Sequence, residues 1–148
     1  FDFNLPKRFN ATYVGSYNKE HEVVMIHRAL LGAIERFIGI MLEHFSGNLP
    51  SWLAPVQVEL IAVGKDYRDY AQSVQEELAT CGVRSELDSD AGTLSHKIRS
   101  AELRKIPYMA IIGKKEVETK TIAVRKHSTG DLGPMTVDRL VTEIKGEE

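Results

Sequence analysis

Val56-Gln57-Val58-Glu59-Leu60-Ile61-Ala62-Val63-Gly64 is the stretch whose reading decides the fold. It is rich in β-formers and closed by a glycine, so it predicts a strand. The next segment has a different period. Tyr67, Tyr70, Ala71, Val74, Leu78 and Cys81 fall at helical spacing, with Asp66 available as an N-cap and Gly82 as a C-terminal stop. Residues 83–87 read as a second short strand. Thr93 offers an N-cap for a helix over 94–105, which Pro107 prevents from continuing. Residues 108–112 read as a buried strand. Residues 121–125 alternate, with Ile122 and Val124 inward and Arg125 outward. Thr136 caps a last helix whose apolar side is Val137, Leu140, Val141 and Ile144. Strands alternating with helices predict an α/β fold, with a mixed, mainly parallel five-stranded sheet flanked by helices. Ligands of such sheets sit beyond the carboxyl ends of the strands.

Upstream, Gly47-Asn48-Leu49-Pro50-Ser51-Trp52 has the composition of a connection. It predicts a boundary between residues 1–49 and residues 50–148. A helix is expected over 33–45, with Ile34, Ile38, Met41 and Phe45 as a core stripe and Arg36 on another face. The continuous apolar run at 23–26 predicts a strand covered on both faces. Residues 9–14 alternate like a short strand, and 15–18 are turn-rich. His27 at the end of the apolar run and Arg36 on the helix flank a glycine-marked junction nine residues long, which is expected to aim both into one cleft.

Composition narrows the function. At 148 residues, 43% hydrophobic and 27% charged, the chain is globular, with room for one domain, or a small one plus part of another. A formal charge of −2 gives no global attraction to nucleic acid, so any such site must be a local patch. The single Cys81 excludes an internal disulfide, fits a reducing compartment and reads as a buried, inert thiol. No apolar run nears the roughly 20 residues of a membrane span, and no signal-peptide pattern is present. A cytoplasmic protein is expected, with no membrane partner. P-loop and dinucleotide glycine patterns are missing.

The local patch exists. Between Ser95 and His127 there are nine basic residues against Glu102, Glu116 and Glu118, an excess of +6. Such a run is ordinarily a solvated face, and it also suits phosphates. Glu116 and Arg125 are the pair best suited to base edges, since a carboxylate accepts from base amino groups while arginine donates to guanine. His27 alone reads as a hydrogen-bonded histidine, although imidazole is also a zinc ligand. Arg36 alone reads as a solvent-facing arginine, although guanidinium suits phosphate and flat rings.

Residues 25–39, Met-Ile-His-Arg-Ala-Leu-Leu-Gly-Ala-Ile-Glu-Arg-Phe-Ile-Gly, resemble motif 3 of class II aminoacyl-tRNA synthetases, with the wording of the threonyl family. The likeness continues through Trp52-Leu53-Ala54-Pro55-Val56-Gln57-Val58, Lys97-Ile98-Arg99, Ile106-Pro107-Tyr108-Met109, residues 113–118 and Ala123-Val124-Arg125. It implies the last part of an antiparallel class II catalytic domain followed by an anticodon-binding domain, a piece of a threonine-tRNA ligase that needs more chain to catalyse. The resemblance makes His27 one of three zinc ligands. It gives Arg36 the ATP-binding arginine's place, and Arg99, Glu116 and Arg125 contact with the anticodon. Zinc and ATP with magnesium are implied for the full enzyme, with none held tightly by this piece. The implied partners are threonine, ATP and the anticodon loop of threonine tRNA, in a homodimeric full enzyme. The chain departs from the family at Ala33, often serine, and at Asp90-Ala91-Gly92, usually Arg-Asn-Glu, where an asparagine base contact is lost. The alternative is a non-catalytic RNA-binding or regulatory module reusing the same domain. A plain small-ligand α/β domain also satisfies the periodicity.

Overall fold

The computed structural model describes residues 1–89 and 91–147. The chain divides into two compact units, Phe1–Ile40 and Met41–Glu148. The division falls inside one helix, α2 (Ile34–His44).

In the second unit the predicted alternation becomes a five-stranded sheet of order β4-β3-β5-β6-β7. Its strands are β3 (Val58–Ala62), β4 (Ser85–Leu87), β5 (Tyr108–Ile112), β6 (Ile122–Lys126) and β7 (Gly130–Met135). The expected mixed sheet is present, and its pairings divide evenly. The helix-linked strands β3, β4 and β5 pair in parallel, whereas β5–β6 and β6–β7 are antiparallel. The connections explain the change. Helices α3 (Arg68–Thr80) and α4 (Leu94–Leu103) are long enough to carry the chain back for a parallel crossover; the six residues of α5 (Lys114–Thr119) are not. A short turn with Ser128 and Gly130 at positive φ then closes the β6–β7 hairpin.

The two sheet faces are covered unequally. Val58, Leu60, Tyr108, Ala110, Ile112, Ile122 and Val124 share one core with α3 and α6 (Val137–Lys145), seventeen buried side chains in all. On the opposite face the buried apolar cluster is small, Ile61 and Met109 with Ala101 of α4. At about 1.5–3 kcal/mol per fully buried large side chain, the first face supplies most of the hydrophobic stabilisation. The thinner face admits charge. Glu59, mid-strand and 4% exposed, stands in register with Glu86, and Arg104 bridges both at 3.4 and 2.6 Å.

Helix ends obey their sequence signals in three places. Thr93 and Thr136 accept from the backbone N–H groups of His96 and Arg139. After α3, Gly82 adopts φ +80°, its N–H donating to the Ala79 carbonyl and that of Val83 to the Leu78 carbonyl. This left-handed close packs Val83 against Leu78. Asp66 does not cap α3, contrary to expectation. It lies inside a 3-10 turn (Lys65–Tyr67) that precedes the helix, and Tyr67 takes the α3 cap position without a side-chain bond.

The first unit corrects two further expectations. It contains α1 (Leu5–Arg8), an antiparallel ribbon of β1 (Thr12–Val14) and β2 (Glu20–Glu22), and the start of α2. Residues 23–26 are not a covered strand. Met25 makes one bridge to Asp2, while Val24 and Ile26 are 48% and 69% exposed. The stripe on α2 is not core, since that helix buries no residue and Ile34 is 64% exposed. An apolar run is buried on two faces only where other elements supply two layers. A two-stranded ribbon and a four-residue helix cannot.

Candidate nucleic-acid interface

Arg125 lies on β6, opposite Met109 and therefore on the thinly covered face. The sequence placed it outward; it is half-buried. Its Nη2 is 3.9 Å from Glu102 Oε1, and its buried Nε has no hydrogen-bond partner among the described residues. The β6–β7 register shifts there, Val124 facing Gly133 and Arg125 facing Asp131, so that Leu132 is an extra residue on β7. Arg99 is exposed on α4, one turn before Glu102. Arg99 and Glu102 share one helix, and Glu102 is the residue that meets the Arg125 guanidinium.

Glu116 is elsewhere. It is the third residue of α5, and its Oε2 accepts from the Gly113 N–H at 2.9 Å, closing the start of that short helix. Its carbonyl accepts from the Thr121 N–H at 3.0 Å. From Thr121 to Arg125 the chain advances about 13 Å at ~3.3 Å per residue, so Glu116 and Arg125 occupy opposite ends of β6. One Glu116 oxygen is committed to the backbone and the other remains for a ligand.

Beyond the carboxyl ends of β3 and β4 opens a cavity of about 250 Å³, lined in part by Gly64, Lys65, Arg68, Ala91, Gly92 and Lys97. This is where a mixed sheet is expected to receive a ligand. Lys97 ion-pairs with Asp88 at 2.6 Å in its wall. Of the departures at 90–92, Ala91 and Gly92 line the cavity, and Asp90 lies outside the described residues.

The basic excess is smaller in space than in sequence. Of the nine cations, Lys97, Arg104 and Lys126 are paired with Asp88, Glu59 with Glu86, and Glu147, acids that lie outside the counted segment. Arg99, Lys114, Lys115 and Lys120 remain exposed.

Sequence reasoning missed a polar cluster on the other core. Glu147 accepts from Ser51 Oγ and from Tyr108 Oη, both at 2.7 Å, and from Lys126 Nζ. Burial opposes ionisation of Glu147, but the hydrogen bonds from Lys126, Ser51 and Tyr108 outweigh it and hold the carboxyl below its ordinary value. Burial, then the Glu147 hydrogen bond, pushes the Tyr108 phenol up. Ser51 and Glu147 are 96 positions apart in sequence, and no local pattern announces the contact.

In the first unit, His27 Nε2 lies 3.1 Å from Asp2 Oδ2, with the imidazole 57% exposed. A tethered, half-exposed imidazole fits a single metal ligand. Among the described residues no group of three His, Cys, Asp or Glu is placed to hold a cation. Arg36 is exposed in the first turn of α2. Neither residue lines the 250 Å³ cavity. Among the described residues no helix is long and apolar enough to cross a membrane.

This arrangement, a mixed five-stranded sheet flanked by helices with Arg125 on its thin face, defines an α/β module. Residues 57–147 match the family described as "Anticodon binding domain", and the chain belongs to it. Residues 1–45 match the "tRNA synthetase class II core domain (G, H, P, S and T)". The resemblance to threonyl-tRNA synthetases is borne out by relatives. A threonine–tRNA ligase of Chloroherpeton thalassium is 47% identical over 140 residues, covering 95% of this chain and 21% of that protein. Another from Aquifex aeolicus is 48% identical over 145 residues, covering 98% and 23%. The chain therefore spans under a quarter of the length of these relatives. In three dimensions it is similar to the crystal structure of the RNA binding domain of threonyl-tRNA synthetase from Cryptosporidium parvum Iowa II. The TM-score is 0.74 at 34% identity, over 99% of this chain and 37% of that one.

Proposed function

We propose that this chain is part of a cytoplasmic threonine–tRNA ligase, in which residues 50–148 bind the anticodon of threonine tRNA and residues 1–49 belong to the catalytic domain. The observation that carries the reading is Arg125. Its guanidinium sits on the thin face of the sheet with a partnerless Nε and only a 3.9 Å ion pair. Unspent donors held on a strand suit the acceptor edge of a guanine in an exposed loop. Arg99, exposed on α4, reaches phosphate or base, and the remaining Glu116 oxygen accepts from a base amino group at the other end of β6.

In the whole ligase, a homodimer, threonine reacts with ATP and magnesium and is then esterified to the tRNA. Arg36 binds ATP there: a planar, permanent cation stacks on adenine and meets phosphate charge as the adenylate forms. His27 supplies one of three zinc ligands, and zinc when bound selects threonine by its hydroxyl, which an apolar pocket discriminates poorly.

The test is binding of this chain to a threonine-tRNA anticodon stem-loop and to one with altered anticodon bases, at low and moderate salt. Cognate preference that survives added salt and falls about tenfold or more with Arg125→Ala is expected, one lost base contact being worth about 1–3 kcal/mol. Equal, salt-sensitive binding of both loops leaves only phosphate attraction and overturns base reading.

A further inference from the structure

Asp2 is held in place from three sides. Its backbone N–H donates to the Met25 carbonyl at 2.8 Å, and its carbonyl accepts from the Met25 N–H at 3.1 Å. Its Oδ1 accepts from the N–H groups of Asn4 and Leu5, at 2.8 and 2.9 Å. Only Oδ2 is left, and it faces His27 Nε2 at 3.1 Å. Met25 is two residues before His27, so the bridge that fixes the Asp2 backbone also sets the reach to the ring.

We propose that Asp2 is the positioning residue of His27: its carboxylate locks the imidazole as the Nε2–H tautomer and leaves Nδ1 as the nitrogen offered to a divalent metal such as zinc. The chemistry is one of donor counting. Asp2 Oδ1 already accepts from two backbone N–H groups, and a carboxylate at neutral pH has no proton to donate, so Oδ2 can only accept. The ring nitrogen facing it must then carry the proton, and a neutral imidazole protonated at Nε2 has its lone pair on Nδ1. No hydrogen-bond partner takes Nδ1 among the described residues. Carboxylate–histidine–metal chains work this way, the carboxylate setting both tautomer and ring orientation.

The metal half of this inference rests on the proposed role of His27 as a zinc ligand; the tautomer half does not. The ¹⁵N-labelled chain is probed by long-range ¹H–¹⁵N ring correlations at about pH 8.5, where imidazole is neutral. His27 is expected as the Nε2–H tautomer. In Asp2→Asn the amide oxygen keeps the Asn4 and Leu5 N–H groups and the NH2 turns to the ring, so the tautomer reverses to Nδ1–H. Asp2→Ser retains an acceptor for the α1 start but removes the tether, and yields a mixture like that of exposed His44. A wild-type His27 with the same mixture as His44, or one unmoved in Asp2→Asn, overturns the proposal. In the full-length ligase, zinc affinity is read by competition with a chelating dye. Asp2→Asn is expected to weaken it about 10–100-fold. Loss of zinc in His27→Ala with full affinity in Asp2→Asn overturns the positioning role. Full zinc affinity in His27→Ala overturns the metal reading alone, and the ring correlations still decide the tautomer.

Discussion

The first forty residues and the remainder of the chain use apolar side chains in opposite ways. Phe1, Phe9, Tyr17, Ile26 and Leu30 are each at least 68% exposed, whereas Leu60, Ile61, Leu78, Ile112 and Leu140 have no exposed surface. The difference lies in what surrounds each run, not in its composition. Hydrophobicity states that a residue is stabilised by cover; only the neighbouring elements decide whether cover arrives. Under the proposed function, the rest of the ligase supplies what the first unit lacks.

Four measurements break or sharpen this contrast. Leu60→Ala is expected to destabilise the chain by about 3 kcal/mol, by lost transfer energy and a cavity, while Ile34→Ala shifts it by less than about 0.5 kcal/mol. Urea unfolding monitored through Trp52, the single tryptophan, reads both. Similar losses for the two variants would mean that the first unit has a core after all. Next, Arg104→Ala is expected to cost about 2 kcal/mol, because it leaves Glu59 buried beside Glu86 without its bridging charge. Adding Glu59→Gln to that variant should recover part of the loss, and no recovery would sink the charge explanation.

A smaller effect, about 1 kcal/mol at pH 7, is expected for Glu147→Gln, which weakens the hold on Ser51, Tyr108 and Lys126. Its sign with pH is fixed. The folded carboxyl titrates below its ordinary 4.5, so its contribution is full above that pH and is lost as pH falls through the lowered folded value. The stability gap between wild type and Glu147→Gln should therefore close in acid; a gap constant down to acid unfolding contradicts the assignment. Smallest of all is Glu22→Gln. Its ion pair with Lys7 is more than half exposed on both sides and should change stability by less than about 0.5 kcal/mol.

Where the sequence was legible, the signal was local and repeated. The α6 stripe of Val137, Leu140, Val141 and Ile144 and its Thr136 cap are all as expected. The short helix α5 escaped because six residues with one apolar side chain, Val117, show no period; a Glu116 cap holds it instead. β7 escaped because Gly133 and Pro134 are breakers that an edge strand tolerates. At the candidate site, residue types pointed to Glu116 and Arg125, and the family resemblance added Arg99. What sequence could not give was their placement: Arg125 meets Glu102 of α4, the helix that carries Arg99, and Glu116 stands at the far end of β6. The Ser51–Glu147 contact was invisible because it joins remote parts of the chain.

The irregularity at Val124 and Arg125 has a consequence for association. β7 is one border of the sheet, and the bulge, together with Pro134, breaks its ladder of outward N–H groups. The other border, β4, is three residues long. Neither offers a template on which a second chain's strand can zip. Crowded molecules of this domain are thereby kept from growing into a shared sheet, and whatever docks against it must do so across a face, through side chains.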